Sequence, residues 1–285
     1  WGGWNTCVCK DPHLFLAHGG RTDFRGINQK IYNILSSKDL TLNFKIEESI
    51  FQLGKSIING SFFTEAYLNI TSIKTRKNVL AIYNTTKVKE NEVKSWDMIE
   101  TWVEGKHRFI WRDHRRNTTL EDVHITLDYS TMSIDTYEWT IRISMQPIYN
   151  RLQGPYHRLD ISLQAKVSDD MFRVAPHGII GCSFDGDSTP RKGKLDVYPD
   201  KSEQVNYTTT AMGEGAIDGY AYEYEMKTPF AVDFKYSRHF QGPRLNVKTP
   251  GIANSAKATE QSIILNEFEN IEVSRRLQED NPPSP

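Results

Sequence analysis

Leu159-Asp160-Ile161-Ser162-Leu163-Gln164-Ala165-Lys166-Val167 decides the fold class of this chain. Apolar side chains occupy every second position and polar ones fill the gaps. That is the period of an extended strand with one face on a core and the other in water. The same alternation recurs in Leu40-Thr41-Leu42-Asn43-Phe44-Lys45-Ile46-Glu47, in Ile125-Thr126-Leu127-Asp128-Tyr129, and in Trp139-Thr140-Ile141-Arg142-Ile143-Ser144-Met145. β-branched and aromatic residues dominate these segments, as pleated half-buried surfaces favour. Turn dipeptides punctuate them at Asn59-Gly60, Glu104-Gly105, Gln153-Gly154-Pro155, Asp185-Gly186 and Asp218-Gly219. The expected fold is all-β: an antiparallel β-sandwich or barrel-like domain.

Helical signals are few. Residues 94–103 and 210–225 are candidates that also suit a strand and a packed loop. The best helix candidate is 255–277, where Ile263, Ile264, Phe268 and Ile271 fall near a 3.6-residue spacing. Pro250-Gly251 is the natural boundary, dividing a β-domain (1–250) from a C-terminal helix or extended arm and tail (251–285).

With 285 residues the chain can bury a sizeable core, and 38% apolar with 25% charged residues is an ordinary globular composition. A net charge of −1 without a basic stripe argues against nucleic-acid binding, because phosphate contacts need a local positive excess. No apolar run approaches the ~20 residues of a transmembrane helix. The chain opens at Trp1, which fits a mature secreted protein after leader removal and equally a part of a longer chain. Asn-x-Ser/Thr sequons stand at Asn59, Asn69, Asn84, Asn117 and Asn206, and N-linked glycans there would fix a secretory compartment. The three cysteines, Cys7, Cys9 and Cys182, are odd in number. In a secreted protein one is therefore free or pairs with another chain.

Two motifs hold all the cysteines: Cys7-Val8-Cys9-Lys10-Asp11-Pro12-His13 and the segment from Pro176-His177-Gly178 through Cys182 to Asp185-Gly186-Asp187. Phe184-Asp185-Gly186-Asp187-Ser188-Thr189 reads either as an oxygen-rich calcium loop or as an Asp-Gly turn with solvated carboxylates. His13 and His177 read as loop-holding structural histidines; spacing gives no support for zinc with Cys7 or Cys9. The chain lacks a nucleophile elbow, a Walker loop and a dinucleotide fingerprint, and no carboxylate pair stands out. An enzyme is not expected. Trp96, Trp102 and Trp111 lie close in sequence, as a sugar-stacking platform or, more in keeping with an all-β domain, as core.

These two motifs resemble those of von Willebrand factor type D domains. The first, with Thr22-Asp23-Phe24-Arg25-Gly26, is similar to their opening, a cysteine followed closely by Gly-Asp-Pro-His and then a Phe-Asp-Gly turn, with Lys10 here in the place of that glycine. The second is similar to their late Gly-Leu-Cys-Gly-Asn-Phe-Asp-Gly segment, with Ile180 where the cysteine usually stands. A looser relative, the root-cap and late-embryogenesis-like secreted proteins, resembles Pro176 to Asp187 and the stretch Thr209-Thr210-Ala211-Met212-Gly213-Glu214-Gly215-Ala216-Ile217. The resemblance implies an antiparallel β fold and calcium held by Asp185 and Asp187, with Asp11 as a weaker candidate. It also implies a disulfide from Cys7 or Cys9 to Cys182. Closing a loop of roughly 170 residues would stabilise by on the order of 5 kcal/mol. The function expected is that of a secreted, glycosylated structural protein that packs with copies of itself or other extracellular structural proteins in a matrix, coat or filament. The alternative is a calcium-dependent carbohydrate- or ligand-binding module; a hydrolase ranks below both.

Overall fold

The computed structural model describes residues 5–9, 12–88, 98–108 and 115–240. The chain is all-β: two large antiparallel sheets pack as a sandwich. It enters sheet 1 with β1 (Asn5–Cys9), β2 (His13–Phe15) and β3 (Arg21–Asp23). It crosses to sheet 2 for β4 (Ile31–Ser37), β5 (Leu40–Leu53), β6 (Ser56–Thr71), β7 (Asn78–Asn84), β8 (Ile99–Val103) and β9 (Lys106–Arg108). It returns to sheet 1 with β10 (Arg115–Leu120), β11 (Val123–Asp128), β12 (Thr131–Asp135) and β13 (Trp139–Pro147). After β14 (Arg151–Gln153), which pairs with β5, β15 (His157–Ala165) completes sheet 1. Two short late strands join sheet 2: β16 (Asn206–Thr208), parallel to β6, and β17 (Glu225–Met226), beside β4. The strand order is β10-β11-β12-β13-β15-β1-β2-β3 in sheet 1 and β17-β4-β5-β6-β7-β8-β9 in sheet 2.

Alternation along β13 and β15 becomes sidedness. Ile141 pairs with Leu163, Ile143 with Ile161 and Met145 with Leu159, all buried in the core, while Thr140, Arg142, Ser144 and Ser162 face outward. Each such buried side chain contributes about 1.5–3 kcal/mol. Trp139 anchors the interface between sheets: it stacks on Phe172 at 5.1 Å and meets the edge of Phe184 at 5.0 Å. Its indole Nε1 donates to Ser37 Oγ (3.0 Å). Beside it, Arg173 joins Glu138 in the β12–β13 turn (Nε to Oε1, 3.0 Å) to Asp39 at the β4–β5 turn (Nη1 to Oδ2, 2.9 Å).

Sheet 2 departs from the alternating pattern. From Gly60 to Thr71 every residue of β6 is buried, as is all of β7. Phe63, Ala66 and Leu68 face the central core, while Tyr67 joins Leu80, Ile82 and Trp102 in a second cluster on the far side. Phe230, from the late part of the chain, seals that cluster. Asn59-Gly60, read from sequence as a turn, lies inside β6 opposite Ile50 and Ser49, because pairing with β5 carries the strand straight through it. Residues 99–103 of one helix candidate form β8, and 210–225 is a loop ending in a 3-10 turn, Ala221–Tyr224. The Pro250-Gly251 boundary and the 251–285 arm lie outside the described residues.

Candidate functional site

The Pro176–Asp187 motif lies along the edge of β4. Ser36 and His177 exchange backbone hydrogen bonds (2.6 and 2.7 Å), and Ile179 and Ile180 donate to the carbonyls of Asn33 and Ile34. Gly178 makes this approach possible. Its φ of +107° suits glycine, and a Cβ there would stand 2.5 Å from the Ile34 carbonyl oxygen.

From this edge a chain of charges runs outward. His177 Nδ1 accepts from the Gly178 amide (2.9 Å), so the proton sits on Nε2, which donates to Asp218 Oδ2 (3.0 Å). Asp218 Oδ1 accepts from Arg191 Nη1 (2.9 Å), and the same guanidinium grips Asp185 Oδ2 through Nε and Nη2 (3.0 and 2.7 Å). The His177 ring lies parallel to Tyr236 at 4.4 Å and near Tyr224 at 5.9 Å. Burial pushes its imidazole down to about 4, against the opposing pull of Asp218, so it is neutral at physiological pH. His177 therefore holds a loop.

This frame braces an aromatic pair. Glu223 Oε2 accepts from the Tyr220 amide (2.9 Å) and the Tyr236 hydroxyl (3.0 Å), and Lys235 pairs with its other oxygen. Tyr224 receives the Asp218 amide on its hydroxyl (3.1 Å) and donates to the Asp218 carbonyl (2.9 Å). On that rigid turn Tyr220 and Tyr222 stack on each other at 5.6 Å with 9° between planes, yet remain 68% and 66% exposed. Aromatic surface held open in this way is characteristic of contact sites, where rings supply large area at small entropic cost. The Tyr-Ala-Tyr-Glu-Tyr run at 220–224 was the signal available in sequence, but nothing in its spacing separates exposed rings from core ones.

The calcium expected from the type D resemblance does not fit. Asp185 spends Oδ2 on Arg191 and Oδ1 on the Asp187 amide (3.0 Å), and Asp187 Oδ1 accepts the Thr189 amide (2.9 Å). The guanidinium already supplies the positive charge, and the loop is a pair of Asx turns. Among the described residues no group of three or more His, Cys, Asp or Glu is placed to hold a metal. Asp11 lies outside the described residues.

The cysteines also require a correction. Cys7 is bonded to Cys9, and Cys182 is an unbonded thiol. Residues two apart in a strand share a face, so Cys7 and Cys9 stand together on the outer side of sheet 1 while Val8 enters the core. Cys182 is buried elsewhere, with Sγ against the carbonyls of Ile179 (3.5 Å) and Ala216 (3.8 Å). Burial pushes its thiol up to about 12, which leaves it an unreactive small apolar group. The pairing of Cys182 with either N-terminal cysteine is thus not the one formed.

The sequons divide. Asn117 and Asn206 are exposed and Asn59 is half-buried, its Oδ1 accepting from Arg25 (3.2 Å). Asn69 and Asn84 are 2% and 7% exposed. Their Nδ2 atoms donate to the Phe230 carbonyl and to Glu65 (both 3.0 Å), so the folded chain has no room for a glycan at these two. Trp102 is buried in the second apolar cluster and forms no sugar platform, while Trp96 and Trp111 lie outside the described residues.

His13 stands across from Cys9 on the outer face of sheet 1, and its Nδ1 donates to Asp23 Oδ1 (2.7 Å). The ring meets the edge of Tyr198 at 6.0 Å. Asp23, in β3, is buried, and its Oδ2 accepts the Asp196 amide (2.8 Å). No family model and no curated protein sequence matches this chain.

Proposed function

We propose that this chain is a secreted, glycosylated structural protein that packs with copies of itself or with other extracellular structural proteins, and that the Tyr220–Tyr222 stack is its contact point. The observation that carries the reading is a large aromatic surface left in solvent on a turn braced by Glu223, Tyr236, Asp218 and Tyr224. Preorganised rings lose little freedom on contact, which favours association. The resemblance to type D domains and the exposed Asn117 and Asn206 sequons support the extracellular setting. The titratable groups around the turn are tied into the loop frame, which favours a binding role over turnover.

Sedimentation velocity over a concentration series tests the reading. Wild type is expected to associate with rising concentration, and a Tyr220→Ser/Tyr222→Ser variant, altered only at exposed rings, to remain folded and monomeric. A wild type that is monomeric throughout, or a variant that associates equally, overturns self-assembly through this stack. A second reading, a carbohydrate-binding module, rests on the same ring faces, which would suit a pyranose. Saturable glycan binding by the monomer, lost in the double variant, would replace assembly as the function.

A further inference from the structure

We propose that Cys7, Cys9, His13 and Asp23 form a thiol–disulfide exchange site on the outer face of sheet 1, acting on thiols carried by small molecules or peptides. The inference is independent of the tyrosine stack.

Three observations converge. First, the bond joins cysteines with one residue between them, inside a strand already hydrogen-bonded on both sides, to β15 and β2. Closing so short a ring removes little freedom from the unfolded chain, so architecture gains little from it. Second, both sulfur-bearing residues are half-buried on the outer face. Cys7 lies between half-buried Ser162 and exposed Phe15 across its two ladders, and an attacking thiol can approach from that side. Third, Cys9 is the direct cross-strand neighbour of His13. Such pairs have Cβ atoms about 4.5–5.5 Å apart. Asp23 accepts from His13 Nδ1 (2.7 Å), is itself held by the Asp196 amide, and fixes the ring. Asp23 thus fixes a hydrogen-bonding ring on the strand position next to Cys9, and a donor held there would favour a thiolate at Cys9 over one at Cys7.

The chemistry follows from that asymmetry. An incoming thiolate attacks Cys7 Sγ, the Cys7–Cys9 bond breaks, and its electron pair leaves on Cys9, the cross-strand neighbour of His13, as a thiolate. The product is a mixed disulfide on Cys7. A second thiolate attacks the sulfur of the incoming group in that mixed disulfide and releases Cys7 as thiolate. In sum, two thiols are oxidised to one disulfide while the protein pair takes up two electrons and two protons. A leaving thiol of lower basicity departs faster, which directs attack to Cys7. His13 and Asp23 are positioning residues in this scheme.

The test uses the full folded chain and two probes, reduced glutathione and a cysteine-containing peptide, with acid quenching, alkylation and mass mapping of the adduct. The pair is expected to open without loss of near-ultraviolet dichroism, with adduct on Cys7 exceeding that on Cys9 by about tenfold. His13→Gln is expected to slow opening by about tenfold and to even out the adduct, a readout that a purely structural role for His13 would not move. Opening only in denaturant, or an adduct distribution unchanged in His13→Gln, overturns the proposal. Reaction with glutathione alone identifies a small-thiol site, and reaction with the peptide a protein-thiol site. Should His13→Gln fail to fold, the single variants decide. At neutral pH, Cys9 in Cys7→Ser should react with oxidised glutathione about tenfold faster than Cys7 in Cys9→Ser, and equal rates overturn the assignment.

Discussion

Acidification should unfold this protein through two histidines before its carboxylates protonate. Burial pushes His177 down to about 4 and His239 down to about 3. His239 is wholly enclosed, with Nδ1 on the Thr41 hydroxyl (2.8 Å) and Nε2 on the Thr71 hydroxyl (3.1 Å). An unfolded histidine titrates near 6.5. Because both folded values lie below it, the unfolded chain takes up protons first. Stability from these groups is full above about pH 6.5 and falls as pH drops toward the folded values. At about pH 4.5 the loss is about 2.5 kcal/mol for each and about 5 kcal/mol together, a large part of a typical domain's 5–15 kcal/mol. His157, also pushed down by burial, acts in the same direction. Asp39 does not confuse the window. Burial raises its carboxyl, but Arg76, Lys38 and Arg173 outweigh that and hold it below its usual value. The assay is urea unfolding at constant ionic strength from about pH 7.5 to 4.5. Each histidine should contribute a slope of about 1.4 kcal/mol per pH unit in the middle of that range. His239→Gln, which keeps one hydrogen bond to the threonines and cannot titrate, should remove about half of the total. A change below about 1 kcal/mol across the window, or an unchanged slope in the variant, would refute the reasoning.

Two further outcomes follow from the same geometry. After expression through a secretory pathway, peptide mapping should find glycan on Asn117 and Asn206 and none on Asn69 or Asn84; modified Asn69 in folded protein would contradict its bond to Phe230. The double variant Cys7→Ala/Cys9→Ala should lose only about 1.6 kcal/mol in denaturant unfolding, the chain-entropy value for a three-residue ring. Loss nearer 5 kcal/mol would indicate a long-range bridge.

Where one face of a strand meets water, the strand is legible in sequence. Trp139–Met145 and Leu159–Ala165 alternate because the outer face of sheet 1 is solvated. The central part of sheet 2 was less so. Phe62-Phe63-Thr64-Glu65-Ala66-Tyr67-Leu68 shows no such period because both faces of β6 are covered, the far one in part by Phe230. The candidate sites were legible as residue types only. The Asp185-Gly186-Asp187 turn was readable, but its cation is Arg191, and no spacing rule connects the two.

By itself the sequence determined the all-β class, the solvated strands of sheet 1 and the presence of a tight acidic turn, since each depends on residues within a few positions of one another; the same alternation at Leu40–Glu47 did not mark a solvated face, because Thr41 and Asn43 are buried. Tertiary structure alone decided the partners. His177 meets Asp218 from 41 residues away, and Glu138 meets Arg173 from 35. Cys7 bonds Cys9 and not Cys182 because the pleat of β1 turns both onto the outer face of sheet 1 while Cys182 is sealed beside the β4 edge. Such contacts are set by which surfaces the folded sheets bring together, a property that local periodicity does not carry.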